Sequence, residues 1–321
     1  MSSDSSPQLH KQPDRRSIVL RIAGTIISLG LLIYLLVHEG WQTIQDAVLM
    51  ISLPYFLLAL GLTFISRLAV ALRWYNLLHS ANIDISIWKT IQLVFAGLFA
   101  SNFLPTTIGG DVVRFAGAVR LKVDAAVAAA SLVMDRLIGM AGMAVVLPIG
   151  MVDLFTMPFP NLPMSMNGRS AWAFTFVGFL KKIKYGIKKL LQSAWKATQL
   201  WMSNPRSLLI SFGFTFVHMI MLFLTLLLFF GRMGETISFW QIAGLWSMSY
   251  FITQLPVSIN GYGLQELSLI VIFSHYGGIS SQNIMALALL IRVLQMMASL
   301  PGVFFMTGLI QPANKAADTG E

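Results

Sequence analysis

Long apolar stretches separated by short polar segments fill this chain, and they predict helices that cross a membrane. A spanning helix needs about 20 largely apolar residues. Six stretches meet or approach that length, and they are residues 18–37, 53–72, 124–151, 168–185, 207–230 and 283–310. The stretch 168–185 is the weakest of the six by hydropathy. The sequence lacks the alternating pattern of an outer-membrane barrel. We therefore predict an all-α polytopic membrane protein.

Two further apolar segments are interrupted by proline and glycine. Leu104–Arg114 and Leu255–Glu266 each contain a Leu-Pro pair, a hydroxyl residue, two glycines and a charged residue. The helix before the first interruption, residues 90–104, spans only ~22 Å at 1.5 Å per residue, against a hydrocarbon core of about 30 Å. Broken backbone at membrane depth must be buried in protein or line a wet cavity. Each segment is therefore predicted to form a re-entrant hairpin.

The order of helix, broken hairpin and helix occurs twice, in residues 53–151 and 206–310. Lysine and arginine mark the cytoplasmic loops, and they are concentrated in residues 11–21, 120–122 and 181–196. With that orientation the first hairpin opens from the cytoplasm and the second from the outside. The sequence thus predicts an inverted-topology repeat, which in transporters surrounds a site at the membrane midplane. The alternative is chance self-alignment of two Leu-, Gly- and Pro-rich segments.

Composition supports a chain that is almost wholly embedded. Of its 321 residues 56% are hydrophobic and 11% charged, and the mean hydropathy is +0.73. A single membrane domain over 18–310 is predicted, with disordered tails at 1–17 and 311–321 and a linker at 168–202 that includes a basic amphipathic helix. The net charge of +9 lies mainly in short loops, so it indicates topology rather than nucleic-acid binding. The absence of cysteine from the sequence excludes disulfides and thiol chemistry.

The location is predicted from the N-terminus, which is basic and leads into the apolar residues 18–37 without a convincing cleavage site. We therefore expect an uncleaved anchor. The protein is predicted to lie in a bacterial-type inner (plasma) membrane, with both termini in the cytoplasm.

Charged residues inside the predicted spans are candidates for function, because each costs about 2.5–3.5 kcal/mol to insert. Arg114 follows Asp111 by three residues on a short helix that begins at a glycine pair, and helix N-termini attract anions. The planar fork of arginine suits phosphate oxygens. Arg67 ranks lower because it lies near the end of its predicted helix, where it can reach the interface. The candidate substrate-binding residues are Asn102, Thr106, Thr107, Gly109, Gly110, Asp111, Arg114, Arg136, Ser258, Asn260, Gly261, Gly263, Glu266 and Arg292.

Structural roles explain many of these residues as well as substrate contact does. Asp111 can cap a half-helix, and the glycines can serve the architecture alone. Asp135 and Arg136 are about 100° apart on a helix, so they cannot contact one target in parallel. Arg136 is expected to pair across the bundle with Glu266 or Asp111. No catalytic motif, metal-ligand motif or cofactor-binding motif occurs in the sequence.

The motifs taken together resemble a known family. Asn102–Arg114, Asp135-Arg136-Leu137 and Leu255–Glu266 are similar to motifs of the lysylphosphatidylglycerol synthetase transmembrane-region family. Its members are flippase-like membrane proteins, found alone or fused to a soluble aminoacyl-transfer domain. The resemblance implies movement of a lipid with a polar head between leaflets. This chain has no segment expected to hold the synthetase, so aminoacyl transfer is not implied.

The expected function is a flippase or transporter for a polar-headed, phosphorylated lipid, and not an enzyme. The expected substrate is a phospholipid or a polyprenyl-phosphate-linked lipid, bound in a midplane crevice without a cofactor and without nucleic acid. The alternative is a membrane enzyme or accessory subunit that presents a lipid to a transferase. A homo-oligomer and a partner transferase both remain open.

Overall fold

The computed structural model describes residues 41–103, 109–156, 201, 204–254 and 264–310. Within these ranges the chain is helical and contains no strand. The ten helices described are α1 Trp41–Leu49, α2 Leu53–Ser80, α3 Ile87–Phe103, α4 Gly109–Arg120, α5 Ala125–Thr156, α6 Pro205–Arg232, α7 Phe239–Thr253, α8 Leu264–Gly277, α9 Ser281–Ser299 and α10 Pro301–Ile310.

Four helical segments are long and apolar enough to cross a membrane. They are all of α2 and α6, residues Ala125–Ile149 of α5, and Ser281–Phe305, which joins α9 to the start of α10. They coincide with four of the six predicted crossings, so the chain is an integral membrane protein. The predicted crossings at 18–37 and 168–185 lie outside the described residues, as do both predicted tails and all of the linker except Trp201.

The two interrupted segments form two pairs of short helices, as predicted. The first pair is α3 and α4, and the second is α7 and α8; the helices of each pair pack against each other. These four helices have 12 to 17 residues, or roughly 18–26 Å at 1.5 Å per residue. Each is therefore too short to cross the bilayer core of about 30 Å alone. The connecting residues 104–108 and 255–263 lie outside the described ranges.

Glycine permits the close approach of α3 and α4. A Cβ atom added to Gly110 would lie 2.6 Å from the carbonyl oxygen of Gly97 and would overlap Ser101 Oγ. A Cβ atom on Gly97 would lie 2.9 Å from Arg114 Cγ. These contacts are shorter than van der Waals packing allows, so any larger residue would push the two helices apart. Gly97 of α3 and Gly110 of α4 therefore allow Arg114 to lie against α3.

The two long helices α2 and α6 run antiparallel along each other. Ser66 Oγ lies 2.6 Å from His218 Nδ1, Arg73 Nη1 donates to Thr215 Oγ1, and Asn76 Nδ2 donates to Ser211 Oγ. The residue numbers rise along α2 as they fall along α6. Both helices have 28 residues and a proline in the first turn, where its missing N–H is tolerated.

The packing of the first four embedded helices is matched by the packing of the last four. Let α2, α3, α4 and α5 correspond to α6, α7, α8 and α9 in that order. Every contact between two of these eight helices then corresponds to an observed contact between their counterparts. For example, α5 packs against α7, and their counterparts α9 and α3 also pack against each other. In the same way, α9 packs against α2, and their counterparts α5 and α6 are in contact. Inside the halves, α4 contacts α3 and α5 as α8 contacts α7 and α9. Only α1 and α10 have no counterpart among the described helices.

The largest differences between the observed and the predicted helix ends occur in three places. Residues 41–49 form α1 rather than a loop, and α2 continues past the predicted end at residue 72 to Ser80. The last span is divided at Leu300 before Pro301. A hydropathy analysis ends the span at Arg73 because the residue is charged. In the structure Arg73 forms an ion pair with Asp135 inside the bundle, so α2 continues past Arg73.

Candidate functional site

A buried carboxylate joins three helices near the centre of the protein. Asp135 on α5 is 3% exposed. Its Oδ1 accepts a hydrogen bond from Arg73 Nε of α2 at 2.6 Å, and its Oδ2 accepts one from Arg114 Nη2 of α4 at 3.0 Å. Arg73 also donates to Thr215 of α6 at 3.1 Å. Because buried charges persist only when they are paired and hydrogen-bonded, this network defines how α2, α4, α5 and α6 meet.

Arg114 is held from several sides. Besides Asp135, its Nη1 lies 3.3 Å from Asp111 Oδ1, and its guanidinium carbon lies 4.3 Å from the centre of the Trp74 ring. The Trp74 ring is itself fixed, because its Nε1 donates to Ser131 Oγ. These contacts give Arg114 a structural role, and it lines neither of the two cavities described below. Its expected contact with a phosphate stays a prediction.

An acid at the start of a half-helix pairs with an arginine of the following long helix in both halves. Arg136 Nε of α5 donates to Asp111 Oδ2 of α4 at 2.6 Å, and Arg292 of α9 contacts Glu266 Oε1 of α8 through Nε and Nη2. The partners are 25 and 26 residues apart. Of the two expected partners of Arg136, the structure selects Asp111. The partner that the structure shows for Glu266 is Arg292, which belongs to the same half.

A polar cavity of about 200 Å³ lies between the two halves. Arg67 of α2 and the end of α3 line it from the first half, and Gln265 of α8 with Arg292 and Gln295 of α9 line it from the second. Asn102 belongs to this lining, and its Nδ2 also donates to Ser299 Oγ at 2.7 Å. The cavity therefore adjoins the end of α3 and the beginning of α8, next to both interruptions. Both guanidinium groups supply hydrogen-bond donors to its wall, and the charge of Arg292 is balanced by Glu266.

Arg67 differs from the other arginines inside the bundle. It lies midway along α2 and is partly exposed, and it makes no hydrogen bond or ion pair with any residue that the structure describes. Its side chain lines the polar cavity and also a second cavity of about 160 Å³ between α2, α6, α7 and α9. Arg67 was considered a weaker candidate because the helix was predicted to end at residue 72. Because α2 continues to Ser80, Arg67 is central and its charge is available to a ligand.

The structure locates eight of the fourteen predicted site residues. Gly109, Gly110, Asp111, Arg114 and Arg136 are grouped around the first hairpin, whereas Asn102, Glu266 and Arg292 meet at the polar cavity or beside it. Glu266 is fully buried behind Arg292. The remaining predicted residues lie outside the described ranges, and they are Thr106, Thr107, Ser258, Asn260, Gly261 and Gly263.

Several residues of the site were missed in the sequence. Gln265 and Gln295 carry no charge, although each lies close in sequence to a residue of the Glu266–Arg292 pair. Arg73 lies one residue beyond the predicted span 53–72. The available signal was spacing: Gln295 follows Arg292 by three residues, which places both on one face of a helix. No group of acidic or histidine side chains that could hold a metal occurs among the described residues.

Comparison with known proteins gives a consistent result. The family profile described as the lysylphosphatidylglycerol synthase TM region matches residues 21–302. These residues include both broken segments, three of the four long spans and the fourth up to residue 302. A UPF0104 membrane protein of Pyrococcus horikoshii is 34% identical to the chain over 90 residues. That match covers 28% of this chain and 27% of the relative, so it spans about a quarter of each.

Proposed function

The chain belongs to the lysylphosphatidylglycerol synthase transmembrane-region family, and from that premise we propose that it moves a phosphorylated lipid between the leaflets of its membrane. The proposal rests on one observation, the polar cavity that Arg67 and Arg292 line between the two halves. A lipid phosphate offers charged oxygens that a guanidinium group can bind in pairs. The tails would stay in the bilayer, while the head crosses through the cavity. No cofactor, catalysis or nucleic acid is part of the proposal.

Movement of the head requires access to the cavity from each side in turn, and we infer that the two halves are inverted repeats. Three observations support this inference. The neighbour relations are preserved when the halves are exchanged, the corresponding helices α2 and α6 are antiparallel, and each half has an acid–arginine pair at the corresponding place. Rocking of one inverted half against the other would open the site to alternate sides.

Opposite orientation of the two hairpins can be tested by labelling single cysteines, since the sequence contains none of its own. Lys89→Cys and Leu121→Cys flank the first hairpin, and Trp240→Cys and His275→Cys flank the second; all four positions are exposed. An impermeant thiol reagent added to sealed vesicles should label the first two from one side and the last two from the other. Labelling of residues 89 and 121 from different sides would contradict the inverted repeat.

Transport itself is tested in liposomes that contain only this protein and a lipid labelled in one leaflet. We expect Arg67→Gln to lower the rate at subsaturating lipid by roughly 10- to 100-fold, because a hydrogen bond to a charged group contributes about 1.5–3 kcal/mol. Arg67→Lys keeps the charge but loses the fork, so it should retain an intermediate rate. The matched control is Arg206→Gln, which neutralises an exposed arginine at the start of α6 and should transport like the wild type.

The same experiment separates transport from the alternative role. Wild-type protein that binds lipid but gives no leaflet exchange would favour an accessory subunit that presents the lipid to a transferase. Full transport by folded Arg67→Gln would remove the cavity from the pathway. We also propose that the protein lies in a bacterial-type inner membrane with both termini in the cytoplasm. It would act there as a homo-oligomer or together with a partner transferase.

A further inference from the structure

Arg67 lies inside the membrane domain without a described carboxylate beside it. The side chains that line its two cavities include no aspartate and no glutamate. Both buried acids of the described residues, Asp135 and Glu266, are paired with other arginines. A charge at membrane depth is costly unless an opposite charge compensates it. Arg67 therefore requires a negative charge from another source.

The rest of the chain does not offer that charge from a predicted crossing or from a break of a hairpin. Outside the described ranges, acidic residues occur only in residues 1–40 and 311–321, and none of them belongs to a predicted crossing. Aspartate and glutamate are absent from the sequence of residues 18–38, 104–108, 157–200 and 255–263. The negative charge at Arg67 is therefore expected to belong to a bound anion.

The second cavity has two further hydrogen-bond donors in its lining. Trp246 of α7 lines it, and its indole N–H donates to no described residue. His218 of α6 also lines it, and its Nδ1 lies 2.6 Å from Ser66 Oγ. The Ser66 hydroxyl has no other described acceptor, so it donates to Nδ1, and the neutral imidazole then carries its proton on Nε2. Guanidinium, indole and imidazole N–H groups thus line one cavity.

We propose that the second cavity is a binding site for a small monovalent inorganic anion, with chloride as the expected occupant. One chloride ion neutralises the charge of Arg67 and accepts hydrogen bonds from the N–H groups of Arg67, Trp246 and His218. Hydrogen bonds that involve an ionised group are the strong ones. The volume of about 160 Å³ leaves room for several water molecules beside the ion. The site does not depend on the proposed movement of lipid.

The charge balance of the site favours an anion with one negative charge over an anion with two. Arg67 and Gln295 line both cavities, and the other arginine of the polar cavity, Arg292, is already paired with Glu266. Sulfate would therefore leave one negative charge without compensation inside the protein, and such a charge is strongly unfavourable. The site should bind chloride and bromide and discriminate against sulfate.

Equilibrium dialysis of the purified full-length protein against radioactive chloride tests the proposal directly. The protein is held in a non-ionic detergent, and gluconate keeps the ionic strength constant. We expect one chloride ion per protein, with half-saturation in roughly the millimolar range, from one charge-assisted and two neutral hydrogen bonds. Bromide should displace the bound chloride, whereas sulfate at the same ionic strength should displace little of it.

Two substitutions localise the bound ion, and each has a matched control. Arg67→Gln should weaken chloride binding by roughly 10- to 100-fold, and Trp246→Phe, which keeps the ring and removes its N–H, by about fivefold. The controls change an exposed arginine at the start of α6 and an exposed tryptophan of α7, and they are Arg206→Gln and Trp240→Phe. Both controls should bind chloride like the wild type. Gel filtration verifies that each variant is folded.

The absence of saturable chloride binding in the wild type, or equal binding by folded Arg67→Gln, would overturn the anion site. Displacement by sulfate as effective as by bromide would contradict its charge selectivity. A phospholipid that copurifies one-to-one in place of chloride would identify a lipid phosphate as the occupant and would also overturn the proposal. Leaflet exchange is measured separately: a chloride site without exchange would contradict only the proposed function, and exchange without a chloride site would contradict only this inference.

Discussion

Asp135→Asn should destabilise the protein more than any other single neutralisation in the first half. The carboxylate is buried between two guanidinium groups, at 2.6 Å from Arg73 Nε and 3.0 Å from Arg114 Nη2. Removal of one partner from a buried ion pair costs about 3–5 kcal/mol. Here Arg73 loses its carboxylate, and Arg114 keeps only Asp111 at 3.3 Å. The amide of asparagine also turns one acceptor into a donor that faces an arginine. The thermal unfolding temperature in detergent should fall strongly.

The matched control lies directly before the same helix. Asp124 is exposed, and its Oδ1 accepts hydrogen bonds from the backbone N–H groups of Ala126 and Val127 at the start of α5. Asparagine caps a helix about as well as aspartate, so Asp124→Asn should leave the unfolding temperature nearly unchanged. Addition of Arg73→Gln to Asp135→Asn should recover part of the loss. An Asp135→Asn protein as stable as the control would mean that the network does not stabilise the bundle.

The fold could be predicted from the sequence where one local property determines it. Apolar length determines a spanning helix, and the Leu-Pro and glycine motifs determine where the hairpins break. The helix predicted to end at residue 104 accordingly ends at Phe103. The end of α2 was wrong because hydropathy counts Arg73 as a cost. That cost is offset by Asp135, which is 62 residues away in sequence, and no local pattern contains this pairing.

The candidate site was predicted only in part, because it also depends on charge pairing between residues that are distant in sequence. The sequence places Asp111, Arg114 and Arg136 in or beside the first hairpin, but it does not say which charges neutralise each other. Pairing decides which arginine remains available: Arg114 has carboxylate partners, whereas Arg67 faces both cavities. The neutral side chains Gln265 and Gln295 are identified as cavity residues when α8 and α9 are brought together with α2 and α3.

Glu266→Gln should produce a similarly large loss of stability in the second half. Glu266 has no exposed side-chain surface, and its partner Arg292 is 14% exposed. Neutralisation of the acid leaves a guanidinium without its carboxylate inside the bundle, at a cost of about 3–5 kcal/mol. The Asp111–Arg136 pair of the first half serves as a control with a smaller expected effect, because the Arg136 side chain is 45% exposed. Arg136→Gln should cost about 1 kcal/mol or less.

A double-mutant cycle distinguishes a structural pair from a proton carrier at Glu266. If the pair is structural, Glu266→Gln combined with Arg292→Gln should be more stable than Glu266→Gln alone, because the second change removes the uncompensated cation. If Glu266 instead carries a proton during transport, Glu266→Gln should unfold at the wild-type temperature, and its transport should lose its dependence on pH. We expect the first result. Unchanged stability, unchanged transport and unchanged pH dependence in Glu266→Gln would exclude both roles for this carboxylate.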